Sequence, residues 1–344
     1  MSRKLLSYTA LGLILGNTAF ADVPKVAVDI APVHSLVSRV MEGVGTPKLV
    51  IPAGASPHGY SLRPSEAKAL QDADMVIWMG EDLAPWMEKS VETLSKGAEV
   101  ITLLEESETK LLDFREGALF EEHDHGDHDD HDDHDKDHDD HDDHDKDHDD
   151  HDHDKDHDDH DDHDGHDDHD EHAHGEHDPH AWLSVENAQT WLNLVAGKLS
   201  AADPENAGVY FANAAEARAE IDALVKEVNS ILEPVRGRNF VVFHDAYQYF
   251  ETSFDFPAAG AISLGDASDP SAARIAEIQG RVRNEGINCV LSEPQFNPNL
   301  VETVLSGTDA KTGIIDPLGS NLEPGPKLYG DLIRNMAKAL AGCL

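Results

Sequence analysis

Cationic side chains are scarce in this 344-residue chain, which has 26 Lys and Arg residues against 69 Asp and Glu residues. The resulting formal charge of -43 excludes nucleic acid as a partner, because phosphate binding needs clustered cationic side chains. Long apolar runs are also lacking, since beyond the N-terminus none reaches the roughly 18 residues that a membrane-spanning helix needs. These absences predict a mature protein without a transmembrane anchor.

The N-terminus has the features of an export signal. Residues 1–4 include an Arg and a Lys, an apolar run follows from Leu5 to Leu15, and the small residues Ala19 and Ala21 precede Asp22. This arrangement predicts a secretory signal peptide over residues 1–21, cleaved after Ala21, and hence a periplasmic protein. The alternative is a buried first helix.

Cysteine is nearly absent, with only Cys289 and Cys343 in the chain. Because an exported protein folds in an oxidising compartment, we expect these two residues to form a disulfide. Metal ligation and two separate buried thiols are the alternatives.

The acidic charge is concentrated in one tract from Glu121 to Pro179, which contains 32 acidic residues and 19 histidines. The ten residues HDDHDDHDKD from His128 to Asp137 recur immediately at His138 to Asp147. With almost no apolar side chains, the tract cannot form a packed core, and we expect a disordered loop. Imidazole and carboxylate groups both bind divalent metals, so the tract is expected to bind several ions weakly. A purely solvating charge run is the alternative.

Outside the tract, short apolar runs alternate with helical patterns, which indicates βαβ units and parallel sheets. The predicted strands are Val26–Ile30, Lys48–Ile51, Met75–Met79, Glu99–Leu104, Phe240–Phe243, Ala258–Ile262, Asn288–Leu291 and Gly313–Ile315. Between the two sets, Pro204 to Leu232 predicts one long helix. The expected fold class is therefore α/β, with two four-stranded parallel-sheet lobes over 22–203 and 234–344. A long helix over 204–233 joins them.

Four histidines lie outside the tract. His58 is in a turn after a predicted strand, His180 is at a helix start, and His244 directly follows a strand. Open α/β sheets bind ligands in such loops at the carboxyl ends of their strands. We expect the remaining one, His34, to be structural.

A carboxylate is expected to complete the site. Asp316 follows the last predicted strand, and Glu293 follows another strand end as a second candidate. Three imidazoles and Asp316 would make a four-coordinate zinc site.

The motifs GASPHGYSLRPSEAKALQDADMVIWMG, HAWLS, FHDAYQYF, LSEPQFNP and IDPLGSN together resemble the zinc-specific ZnuA-type solute-binding proteins of ABC transporters. The resemblance implies two lobes bridged by a rigid helix. It also implies a metal site in the interlobe cleft, with zinc held by His58, His180 and His244, and a His-rich loop beside the cleft. Manganese-type relatives have Glu where this chain has His244. Some zinc members have Glu before the first ligand, whereas this chain has Pro57, so Asp316 or water must supply the fourth ligand.

The expected function is capture of zinc in the periplasm by a monomer and delivery to an inner-membrane ABC permease. The His-rich loop is expected to be an auxiliary segment that binds zinc weakly or senses it. Periplasmic zinc chaperones are possible further partners. One alternative is a periplasmic metal buffer in which the tract is the functional part. A zinc hydrolase is a second alternative, since catalytic zinc also has three protein ligands, but the chain has no HExxH motif, and we expect no enzyme.

Overall fold

The computed structural model describes residues 22–115, 177–263, 271–295 and 298–344. The predicted signal peptide with its cleavage site, and nearly all of the His-rich tract, lie outside these ranges. Within the described ranges, no helix combines the length and apolarity that crossing a membrane requires.

The first sheet has four parallel strands in the order β2-β1-β3-β4. They are β1 (Val26–Val28), β2 (Lys48–Leu49), β3 (Met75–Trp78) and β4 (Glu99–Thr102). The central strands β1 and β3 are apolar and buried at every position, as expected for parallel strands covered on both faces. Because the strands are parallel, the loops at their carboxyl ends lie along one edge of the sheet.

Four helices accompany this sheet: α1 (Ala31–Val40), α2 (Pro64–Gln71), α3 (Pro85–Leu94) and α4 (Val185–Ala202). The first three have a proline in the first turn, where its missing N–H costs no helical hydrogen bond. The start of α4 is fixed by Ser184, whose side chain accepts a hydrogen bond from the Asn187 backbone N–H. This cap holds the chain just after the predicted ligand His180.

The second sheet repeats the same order as β6-β5-β7-β8, and its strands are also all parallel. The strands are β5 (Phe240–His244), β6 (Gly260–Ser263), β7 (Cys289–Ser292) and β8 (Lys311–Ile314). The helices after β5 are α6 (Gln248–Phe254), α7 (Ala272–Asn284), α8 (Pro298–Leu305) and α9 (Leu328–Cys343). The predicted fold class is confirmed. His244 was expected just after its strand and is instead the last residue of β5.

One long helix, α5 (Ala207–Leu232), lies between the two sheets in sequence. Its 26 residues span about 39 Å at the usual rise per residue. Single 3-10 turns at Pro204–Asn206 and Glu233–Val235 flank it, so the predicted segment is helical but not α-helical throughout. The buried face of α5 is Tyr210, Ala214, Ala217, Ile221, Leu224, Val228 and Leu232, which is a spacing of three and four residues.

The two sheets contribute to one buried apolar cluster. It includes Val28 from β1, Leu224 from α5 and Val242 from β5, so α5 packs into the same core as both sheets. The exact residue limits of the two lobes stay a prediction.

The two cysteines form a disulfide that joins the end of α9 to the start of β7. The Cα atoms of Cys289 and Cys343 are 5.7 Å apart, within the usual range for a disulfide. Gly313 on β8 allows this approach, because a Cβ there would lie 2.9 Å from the Leu291 side chain and 3.2 Å from the Cys343 Cβ. The predicted pairing is confirmed.

Candidate metal centre

Three imidazoles converge at the carboxyl ends of the strands. His58 comes from the loop after β2, His180 directly precedes the 3-10 turn Ala181–Leu183, and His244 ends β5. The His180 Nε2 atom lies 3.3 Å from the His58 Nε2 atom and 3.4 Å from the His244 Nε2 atom. One nitrogen from each ring lies within 4.8 Å of the others.

The two Nε2 separations measured from His180 match those of a tetrahedral zinc site. Zinc-to-imidazole bonds are about 2.0–2.1 Å long, and tetrahedral angles then place two nitrogen ligands about 3.3 Å apart. His180 and His244 are buried and His58 is half-buried. The three rings therefore form a nitrogen-rich pocket in which His58 is the most exposed member.

His180 is oriented by Asp178, which lies two residues earlier in the chain. The Asp178 Oδ1 atom is 2.7 Å from the His180 Nδ1 atom and also accepts a hydrogen bond from the His180 backbone N–H. Burial raises the pKa of Asp178 to about 6, while the His180 N–H and the positive charge of Arg115 oppose this increase. A carboxylate at Nδ1 favours the tautomer whose Nε2 lone pair is available to a metal.

His244 has an equivalent carboxylate partner in Glu293. The Glu293 Oε1 atom lies 2.5 Å from the His244 Nδ1 atom, and Oε2 accepts a hydrogen bond from the Gln295 amide. Glu293 is buried. The sequence had suggested Glu293 as a second candidate metal ligand, but its observed contact is with the ring nitrogen that faces away from the three-histidine group.

The loop that carries His58 is held from outside the pocket. The Trp86 indole N–H donates a 2.7 Å hydrogen bond to the carbonyl oxygen of Pro57, directly before His58. Tyr60 packs edge-on against Trp86, with ring centroids 5.8 Å apart, and donates its hydroxyl to Glu66 on α2. These contacts fix both sides of the ligand position to α2 and α3.

Asp316 lies in the turn after β8, and the three-histidine group does not include it. Its carboxylate accepts hydrogen bonds from the backbone N–H groups of Leu318, Gly319 and Ser320 and from the Ser320 hydroxyl. The Asp316 carboxylate thus stabilises its own turn.

His34 has the structural role that the sequence suggested. The ring is buried on α1, its Nε2 atom lies 3.2 Å from the Pro47 carbonyl oxygen, and its Nδ1 atom lies 3.4 Å from the Ser38 hydroxyl. Burial lowers the pKa of His34, which favours the neutral ring.

Several buried carboxylates surround the pocket, and sequence reasoning missed most of them. Asp178, Asp245, Glu251 and Glu293 are all buried, and Arg115 contacts two of them. Neutral imidazoles bring no charge, so a buried dication needs such negative groups nearby. Asp178 was hidden within the acidic tract, although its position two residues before His180 was an available signal.

Two lobes built on parallel sheets, with converging imidazoles contributed from both, are typical of bilobal solute-binding proteins. The family model described as "Zinc-uptake complex component A periplasmic" matches residues 26–343. The chain belongs to this family.

Relatives and solved structures agree with this assignment. The chain is 46% identical over 342 residues to the "High-affinity zinc uptake system protein ZnuA" of Paracoccus denitrificans (strain Pd 1222), covering 98% of each chain. It is 45% identical over 329 residues to the protein of the same name from Brucella abortus (strain 2308), covering 96% of this chain and 94% of that one. A solved structure described as "Crystal structure of ZnuA" matches with a TM-score of 0.68 at 18% identity, over 94% of this chain and 99% of that chain, which supports the fold.

Proposed function

We propose that this protein captures one zinc ion in the cleft and delivers it to an inner-membrane ABC permease. The Nε2 atoms of His58, His180 and His244 are the proposed ligands. The spacing of 3.3 and 3.4 Å between these nitrogens is the observation that carries the proposal, because it matches the ligand separation of tetrahedral zinc. The names of the relatives support zinc as the cargo.

The fourth position of the proposed site belongs to Asp316 or to water. Four hydrogen bonds already occupy the Asp316 carboxylate, and these favour water. A water in this position would leave zinc exchangeable, which suits a protein that must release its cargo.

The donor atoms also support a preference for zinc over manganese. Imidazole nitrogen suits zinc, whereas manganese prefers carboxylate and water oxygens, and the general affinity order of divalent ions favours zinc further. The carboxylates of Asp178 and Glu293 contact the ring Nδ1 atoms, so the three proposed histidine ligands all offer nitrogen to the metal.

The word periplasmic in the family description supports the proposed location. We propose export by the signal peptide over residues 1–21 with cleavage after Ala21. A monomer is proposed, with the permease as its partner and periplasmic zinc chaperones as further possible partners. No catalytic role is proposed.

The His-rich tract is proposed as an auxiliary segment with several weak zinc sites. Deleting residues 121–174 should preserve one tight zinc site per chain and remove the weak ones, since the three proposed tight ligands all lie outside the deleted residues. The deletion keeps His177 and Asp178, which contact the described fold.

Calorimetric titration of the full chain and the deleted chain with zinc, and then with manganese, measures this difference. The deleted chain should bind zinc with the same tight affinity as the full chain and prefer it over manganese. Loss of the tight site on deletion would support the metal-buffer alternative and refute the cleft assignment.

A further inference from the structure

Arg115 is the last described residue before the tract, and its guanidinium contacts two buried carboxylates. Its Nε atom donates a 3.0 Å hydrogen bond to Asp245 Oδ2, and its Nη2 atom also donates to Asp245 Oδ1. The Nη1 and Nη2 atoms donate to the two Glu251 oxygens at 2.7 and 3.1 Å. Arg115 therefore binds both carboxylates in a bidentate manner, a geometry that fixes orientation as well as distance.

Both carboxylates belong to the segment that carries the ligand His244. Asp245 directly follows His244, and Glu251 is on α6, the next element along the chain. Glu251 also accepts a 3.1 Å hydrogen bond from the Ala258 backbone N–H. The guanidinium thus holds the turn between β5 and α6 from a part of the chain that is 130 residues away in sequence.

Helix α6 is also connected by hydrogen bonds to the segment that carries His180. The Tyr249 hydroxyl on α6 donates to the Asp178 carbonyl oxygen at 2.9 Å and accepts a hydrogen bond from the Leu112 backbone N–H at 3.0 Å. The Asp178 backbone N–H donates to the Leu112 carbonyl oxygen. The chain before the tract, the chain after it and α6 therefore form one hydrogen-bonded unit that includes the orienting partner of His180.

We propose that Arg115 is a positioning residue for the zinc site, which sets the place of the His244 ring by holding Asp245 and Glu251. The proposal rests on the zinc-binding function proposed above. In this proposal Arg115, just before the tract, contributes to tight zinc binding in the cleft. That contribution does not depend on any metal that the tract itself binds.

Geometry and charge predict opposite effects when this guanidinium is removed. Loss of one positive charge leaves the buried carboxylates less compensated, which would attract a dication more strongly. Loss of the bidentate contacts releases the turn that carries His244, which weakens binding. Outer partners of metal ligands typically contribute 10- to 100-fold in affinity.

The test compares Arg115→Gln and Arg115→Lys with the matched control Arg39→Gln in the full chain. Arg39 is also largely buried and is shared by three carboxylates, but its partners Glu42, Glu216 and Glu220 lie on or near α1 and α5, and none is adjacent in sequence to a proposed ligand. Zinc affinity is measured by competition with a chelator, the zinc release rate by chelator trapping, and stability by thermal unfolding of the metal-free protein.

We expect Arg115→Gln to weaken tight zinc binding by about 10- to 100-fold, mainly through faster release. Arg115→Lys keeps the charge without the bidentate geometry and should give an intermediate release rate. Arg39→Gln should lower the unfolding temperature and leave zinc affinity unchanged. If Arg115→Gln does not fold, the test uses Arg115→Lys alone. Its zinc release rate is then measured, and the visible absorption of its cobalt complex reports on the geometry of the metal ligands.

Tighter zinc binding in Arg115→Gln would show that charge and not position is the relevant property, and would overturn the proposal. Unchanged affinity in both Arg115 variants, or an equal loss of affinity in the Arg39 control, would also overturn it. Failure of the unaltered protein to bind zinc tightly would instead refute the proposed function itself.

Discussion

Replacing His58, His180 or His244 by alanine is expected to weaken tight zinc binding by more than about 100-fold, or more than about 2.7 kcal/mol. Each ring supplies one of three converging nitrogens, and two nitrogens do not hold zinc at comparable affinity. The measurement is a competition titration with a chelator of known zinc affinity. Thermal unfolding of each metal-free variant checks that the fold is intact.

His177→Ala is the matched control for these substitutions. His177 lies three residues before His180, is partly exposed and pairs with Asp113, so its removal takes away an imidazole without affecting the convergent group. Its tight zinc affinity should equal that of the unaltered protein. Tight binding that persists in His180→Ala would contradict the ligand assignment.

Replacing both Cys289 and Cys343 by serine is expected to lower the free energy of unfolding by about 4 kcal/mol. The disulfide spans 54 residues, and cross-linking a loop of that length restricts the unfolded chain by about this amount. Chemical denaturation of the metal-free protein measures the loss.

Zinc affinity should stay unchanged in the double serine variant, because the disulfide joins the start of β7 to the end of α9 and contacts no proposed ligand. Reduction and alkylation of the unaltered protein breaks the same disulfide without a substitution and provides a second sample for this measurement. Equal unfolding free energies with and without the disulfide would contradict the prediction.

The central strands were predictable because buried parallel strands are short continuous apolar runs, such as Met75–Trp78. Helices α3 and α6 leave no comparable pattern in the sequence. Helix α6 has only seven residues, too few to show a helical period, and α3 buries only Met87 and Val91.

The buried face of α5 was also difficult to read from sequence. Alanines occur all around this helix, so the apolar pattern did not distinguish the exposed Val209 from the buried Ala214. Leu224 and Val228 have larger apolar side chains, and both are buried.

The three histidines were predictable because each lies beside a strand end or a helix start, and such positions follow from local sequence. The side chains that contact these histidines or the residues next to them were not predictable in this way. Glu293 pairs with His244 from 49 residues away, and Arg115 reaches Asp245 from 130 residues away. Local periodicity contains no information on such pairings, which depend on how segments far apart in sequence pack together.

The most direct test of the proposed site is a crystal structure of the full chain loaded with one equivalent of zinc, with anomalous diffraction data collected at the zinc absorption edge. A single strong anomalous peak is expected in the cleft, about 2.0–2.1 Å from the Nε2 atoms of His58, His180 and His244. No anomalous peak in the cleft, or one bound to other side chains while these three rings stay in mutual contact, would contradict the account.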